Sequence, residues 1–282
     1  MKTREFKDTI EFTNDGQISL FFLGTGNAFS KKYYQNNALI IKGKDHLMID
    51  CGSMCPLSFT EFNSNITEVK NFIITHNHAD HIGGLEETAL SDMYITKSAP
   101  NMIITNEFKK ILWKESLKGG LCMKGEETPD PYLKFEDYFN QIKPKKIKHA
   151  PRPFYETAIG SLNIKLFRTK HIFTKYSTWK KSYYSTGILI DNRIIYTSDT
   201  KPDKDLIDWL TSQYNIEYIF HDCNFGHNSV HTDYEELLKI LDKETRKKTF
   251  LCHYSDNAEC NFERVLKDGF AGCVKRGIYY DL

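Results

Sequence analysis

Apolar residues along this chain gather into short runs rather than long amphipathic stretches. Residues 18–23 (ISLFFL), 38–41 (ALII), 47–49 (LMI), 71–75 (NFIIT) and 102–105 (MIIT) are branched or aromatic segments bounded by Gly, Asn and Asp. Such runs predict buried strands. The pattern returns at 162–167 (LNIKLF), 187–190, 193–197, 218–221 and 249–252. Asp191 and Asn192, between two of these runs, predict a two-residue hairpin turn. Helical spacing appears at 106–118 and at 232–241 (TDYEELLKIL), where Thr232, with Glu235 three residues on, predicts a capped start. Strands interspersed with helices predict an α/β fold. Residues 119–153, rich in Gly, Pro and Lys, break the pattern. The β-rich pattern continues on both sides, so this stretch reads as an irregular excursion within a single domain spanning residues 1–282.

Composition narrows the functional class. The chain has 282 residues, with 38 basic and 37 acidic side chains and a net charge of +1. A balance this even argues against holding long nucleic acid by bulk charge, which usually goes with a domain pI above about 9. A small anion needs only a few local groups and is not excluded. No run approaches the roughly 18–20 apolar residues of a membrane-spanning helix, and the N-terminal MKTREFKDTIEFTNDG has no apolar signal region. Seven scattered cysteines, an odd number without a CxxC pair, predict reduced thiols in a cytoplasmic protein.

The chemistry concentrates in THNHADHIGG, which places His76, His78, Asp80 and His81 within six residues after the strand-like NFIIT. On an extended backbone His76 and His78 project to the same side. Asp80 and His81 fall at the turn into a helix. Imidazole nitrogens and carboxylate oxygens are the donors that zinc and related divalent ions take. Two ions need more donors, and those are expected at the C-terminal ends of strands. His171 after IKLFRTK, Asp199 in TSDT and His253 in CHYS occupy such positions. His221 and Asp222 at one strand end, and Asp50 at another, are candidates to orient a ligand from behind.

Taken together, FLGTGNAF (22–29), MIDCG (48–52), THNHADH (75–81), His171, TSDT (197–200), HDCNF (221–225), VHT (230–232) and CHYS (252–255) resemble the metallo-β-lactamase fold superfamily. The likeness is nearer to its ribonuclease Z-like phosphodiesterase branch than to the lactamases. It implies a four-layer αβ/βα sandwich with a dinuclear metal centre. His76, His78 and His171 would then hold one ion, Asp80, His81 and His253 the other, and Asp199 would bridge them. The donors suit zinc, and manganese is accepted by the same set. Two such ions would lower the pKa of a water and neutralise a phosphodiester. Asp80 would also orient the nucleophile, and His231 of VHT would protonate the leaving group. The glycine turn around Asn27 would line the rim.

Ribonuclease Z, which processes tRNA 3′ ends, is the alternative reading, but its bacterial forms carry a long basic arm between the third metal histidine and the bridging aspartate. Residues 171–199 leave no room for one. That interval instead holds FTKYSTWKKSYYS, where Tyr176, Trp179, Tyr183 and Tyr184 alternate with lysines. Aromatic faces stack nucleobases, so these residues are candidates to hold a small nucleotide. The short interval and the NNALI segment look similar to cyclic-nucleotide phosphodiesterases of the anti-Pycsar type. That likeness implies hydrolysis of a cyclic mononucleotide to a nucleoside monophosphate by a homodimer, while the charge balance and the apolar run lengths predict no stable grip on long nucleic acid and no membrane attachment.

Overall fold

A computed structural model describes residues 1–123, 131–172, 178–227 and 230–282. The chain divides into two compact units, one formed by Met1–Gly24, Asn37–Pro144 and Gly277–Leu282, the other by Thr25–Asn36 and Lys145–Arg276. Among the described residues each unit carries one eight-stranded sheet.

In the first unit the strands, numbered along the chain, are β1 (Lys2–Glu5), β2 (Ser19–Gly24), β3 (Asn37–Lys42), β4 (Asp45–Ile49), β5 (Asn71–Ile73), β6 (Asn101–Ile103), β7 (Asn140–Ile142) and β16 (Ile278–Asp281). Their spatial order is β1-β16-β2-β3-β4-β5-β6-β7. Pairing is antiparallel as far as β4 and parallel from β4 to β7. The C-terminal ends of β4 and β5 therefore share one rim, which is where Asp50 and the histidine-rich turn emerge. Strand β2 is buried along its whole length, as expected for a central apolar run.

The second unit contains β8 (Lys145–Lys146), β9 (Phe154–Ile159), β10 (Leu162–Arg168), β11 (Thr186–Ile190), β12 (Ile194–Tyr196), β13 (Tyr218–Asp222), β14 (Thr249–Cys252) and β15 (Gly272–Cys273). Strands β12 to β15 are parallel neighbours, and β10 and β12 both run antiparallel to β11. Strands β10, β12, β13 and β14 consequently end on the same rim. Against this sheet the helix Lys204–Gln213 buries Leu206, Ile207 and Leu210 in a core with Phe154, Phe167, Leu189, Ile195 and Val265. Asp203 caps that helix by accepting from the Leu206 amide.

Three local expectations change. The hairpin at Asp191-Asn192 forms, and both residues are left-handed, with φ of 48° and 59°. The loop also takes in Arg193, because pairing resumes at Ile190↔Ile194. Thr232 does not cap the following helix; its hydroxyl donates to the Thr200 carbonyl, and the helix Tyr234–Ile240 starts after Asp233. Residues 119–153 are not irregular throughout. They hold the helix Phe135–Tyr138 and supply edge strands to both sheets, while 124–130 lie outside the described residues. Strands β1 and β9 escaped the hydropathy reading because their sequences, KTRE and FYETAI, are exposed or alternate with polar positions. Among the described residues no helix is long and apolar enough to cross a membrane.

Candidate metal centre

In the first unit the chain leaves β5 and turns into the helix Ala79–Ile82. This short turn carries four donor side chains, and they sort into two pairs. His76 Nε2 lies 3.0 Å from His78 Nδ1, and His81 Nε2 lies 3.2 Å from Asp80 Oδ2. His76, Asp80 and His81 are buried. Asp50 supports them from the end of β4. Its carboxylate accepts from the Thr75 amide at 2.8 Å and from the Thr75 hydroxyl, and it lies 2.7 Å from His81 Nδ1. Burial pushes the Asp50 carboxyl above its ordinary pKa, against the opposing pull of His81 and the Thr75 bonds. The His81 Nδ1–H facing a carboxylate leaves Nε2 as the lone-pair side of the ring. Asp50 itself is left-handed, with φ of 61°. Backbone in that region is costly for a residue with a Cβ and is held only where the surroundings over-determine it.

The second unit places its donors on one rim, as the strand directions require. His171 follows β10, Asp199 follows β12, Asp222 ends β13 and His253 follows β14. The two oxygens of Asp199 face different rings, with Oδ2 3.9 Å from His171 Nε2 and Oδ1 3.3 Å from His253 Nε2. His171, Asp199 and His253 are each no more than 1% exposed. Ser198 and His253 have left-handed backbones, with φ of 52° and 65°, so the chain bends sharply at both strand ends that deliver donors. Asp222 accepts from the Thr200 amide at 3.0 Å. It also lies 3.0 Å from His231 Nδ1 and 3.5 Å from His253 Nδ1. His231 is partly exposed, beside the His253 ring at 4.5 Å between centroids. Buried imidazoles and carboxylates with nitrogen and oxygen atoms turned toward one another are a donor set that fits divalent ions.

Other expected residues divide. The Asn27 amide donates to the Tyr254 carbonyl at 3.0 Å, which seats it beside His253. His221 Nδ1 lies 2.7 Å from the carbonyl of Asp222, and burial lowers its pKa, so it is a neutral residue that braces the backbone of its neighbour. Tyr183 pairs with His171 in an antiparallel bridge, and its ring stands 6.1 Å from the imidazole, edge to face. Trp179 is partly exposed, with Lys180 Nζ 5.6 Å from its ring centroid. Tyr184 is buried, with the Arg168 guanidinium 4.4 Å from its ring centroid. Tyr176 lies outside the described residues.

Sequence reasoning missed Thr75, whose hydroxyl lies between Asp50 and His76 Nδ1. It also missed Asp256, whose carboxylate accepts from the Ser30 hydroxyl and from the Lys31 and Lys32 amides. Thr75 was visible as the first residue of the histidine motif, whereas nothing in the sequence ties Asp256 to residues 30–32.

Residues 18–280 match the family model described as anti-Pycsar protein Apyc1. The chain is 34% identical over 253 residues to an anti-Pycsar protein Apyc1 of Bacillus phage 010DV004, covering 88% of this chain and 93% of that one. It is 35% identical over 238 residues to the Paenibacillus harenae protein of the same description, covering 84% and 90%. Among solved structures it resembles the metallo-β-lactamase fold protein YhfI of Bacillus subtilis, with a TM-score of 0.68, 16% identity and coverage of 94% and 99%. Unliganded yeast PDE1 is similar with a TM-score of 0.61 and 13% identity, covering 95% and 100%. At those identities the structural likeness establishes the metallo-β-lactamase fold.

Proposed function

This chain belongs to the anti-Pycsar protein Apyc1 family, and on that footing we propose that it hydrolyses a cyclic mononucleotide to a nucleoside monophosphate. It is a metal-dependent hydrolase of the phosphodiesterase type. His76, His78 and His171 would hold one divalent ion, Asp80, His81 and His253 a second, and Asp199 both. Bound there, such ions lower the pKa of a water and offset the charge of the phosphodiester. The remaining work belongs to the protein. Asp50 fixes the His81 ring through Nδ1, and Asp80 would orient the attacking water as well as bind. Asp222 holds the Nδ1 side of His231, which turns Nε2 away from that carboxylate to protonate the departing alkoxide. Zinc is the ion the donors favour, and manganese is accepted.

The observation that supports this reading best is the family match across residues 18–280, which takes in all seven donors. Seven free thiols support a reducing, cytoplasmic setting. The sequence resemblance supports a homodimer, which sedimentation tests. The decisive experiment offers purified protein cyclic mononucleotides, bis(p-nitrophenyl) phosphate and a tRNA precursor with its 3′ trailer, each with and without chelator. Chelator-sensitive conversion of cyclic to linear nucleotide is expected. Cleavage of the trailer RNA alone would overturn the reading in favour of tRNA processing.

A further inference from the structure

Phe29 is 86% exposed, more than any other large apolar side chain among the described residues. An exposed aromatic is ordinary on a loose loop, but residues 25–36 are pinned at every turn. At the base of the loop the Thr25 and Gly26 amides donate to the Tyr33 and Tyr34 carbonyls at 3.0 and 2.8 Å. Inside it, Asn27 Oδ1 accepts from the Phe29 amide at 3.0 Å. Asp256 then gathers the Ser30 hydroxyl and the Lys31 and Lys32 amides. Gly26 is required here, because a Cβ would come within 2.3 Å of Ser30 Oγ and 2.8 Å of the Tyr34 carbonyl. Tyr34 is left-handed, with φ of 54°, and its ring lies under Arg276.

The same loop is stitched to a proposed metal donor, His253, and to the residue that follows it. His253 donates its amide to the Thr25 carbonyl at 2.7 Å, and Asn27 donates to the Tyr254 carbonyl at 3.0 Å. Phe29 is two residues from Asn27, so its ring is carried on a mount whose position is set by the backbone of His253 and Tyr254. A flat apolar face held in place before the ligand arrives loses little ordering entropy on binding. Every nucleobase offers a π-face that such a ring can stack upon.

We infer that Phe29 is the platform on which the substrate's nucleobase stacks, and that Asp256 is the residue that positions it. The inference rests on the cyclic-nucleotide reading above and names the part of the substrate that this loop recognises. Phe29 is a recognition residue in this scheme, and Asp256 acts only through the loop.

The test measures kcat and KM for cyclic mononucleotides with the wild type, Phe29→Ala, Phe29→Trp and Asp256→Asn, alongside sedimentation of each. Loss of one stacked face should raise KM by roughly 5- to 100-fold in Phe29→Ala, with Phe29→Trp restoring it. In Phe29→Trp, added cyclic nucleotide should also quench fluorescence beyond the wild-type change, whereas ribose 5-phosphate, which has no base, should not. Asp256→Asn should shift KM in the same direction as Phe29→Ala. An unchanged KM in Phe29→Ala, equal KM values for the Ala and Trp variants, or a change in oligomeric state in place of KM would overturn the inference while leaving the activity intact. A wild type that hydrolyses no cyclic nucleotide would instead remove the functional reading itself.

Discussion

The Asp222 carboxylate stands 3.0 Å from His231 Nδ1 while its other oxygen lies 3.5 Å from His253 Nδ1. One buried acid thus serves a ring proposed to protonate the leaving group and a ring proposed to hold metal. The two roles separate by mutation. His231→Ala should lower kcat by about 10²- to 10⁴-fold with bound metal unchanged. Asp222→Asn should cost about 10- to 100-fold in activity and weaken metal retention as well. Kinetics paired with elemental analysis of the dialysed proteins checks both. Loss of metal in His231→Ala would move that residue into the ligand set.

Metal itself should be a large part of the stability of the protein. Six of the seven proposed donors, all but His78, are buried, so removing ions would take from buried polar groups their strongest partners. Saturation at a thousandfold over Kd adds about 4 kcal/mol, and that corresponds to a rise in Tm of roughly 10 °C. Differential scanning calorimetry of chelated protein, before and after zinc or manganese is restored, measures the change. His76→Ala should remove most of the gain. A chelated protein that melts with the holoenzyme would argue that the histidines and aspartates do not hold ions.

The legibility of this site in the sequence follows from locality. His76, His78, Asp80 and His81 lie within one turn and can be read directly, because a short motif fixes its own geometry. His171, Asp199 and His253 were legible as strand-end residues, since parallel order sends those ends to one rim. Contacts that depend on loops returning from far away were not legible. Asp256 reaches residues 30–32 across more than two hundred positions, and no local pattern encodes that. The burial of Tyr184 against Arg168 was likewise not legible, because the guanidinium reaches it from a neighbouring strand. Thr232 looked like a helix cap, but the nearby Thr200 carbonyl takes its hydroxyl.

Asp203 is a second buried carboxylate with more than one obligation. It accepts Arg152 Nη1 at 2.7 Å and Lys170 Nζ at 2.9 Å, and it caps the helix Lys204–Gln213. Asp203→Ala leaves a buried guanidinium without its counter-charge, which typically costs about 3–5 kcal/mol. Arg152→Met keeps the volume and leaves Asp203 paired with Lys170, so its cost should be clearly smaller. Because Lys170 precedes His171, Asp203→Ala should also loosen metal binding. Urea midpoints for the two variants give the comparison, and equal losses would show that the pair contributes through packing rather than charge.

His46 gives the protein a pH dependence that is independent of the metal donors. Its Nε2 accepts the Lys70 amide at 3.0 Å, a bond that a protonated ring cannot make. Burial, then the Lys70 charge, holds its pKa below the ordinary value, with Asp45 pulling weakly the other way. A depressed folded value means that the unfolded chain binds the proton more readily. The stabilisation is therefore present above the unfolded value near about 6.5 and is lost as pH falls through the lower folded value. His46→Gln offers a neutral acceptor to the same amide and does not titrate. Urea midpoints measured with chelator at pH 8, 6.5, 5.5 and 5 should fall more steeply in the wild type than in His46→Gln. Parallel curves would show that the proton which destabilises the fold in this range binds elsewhere.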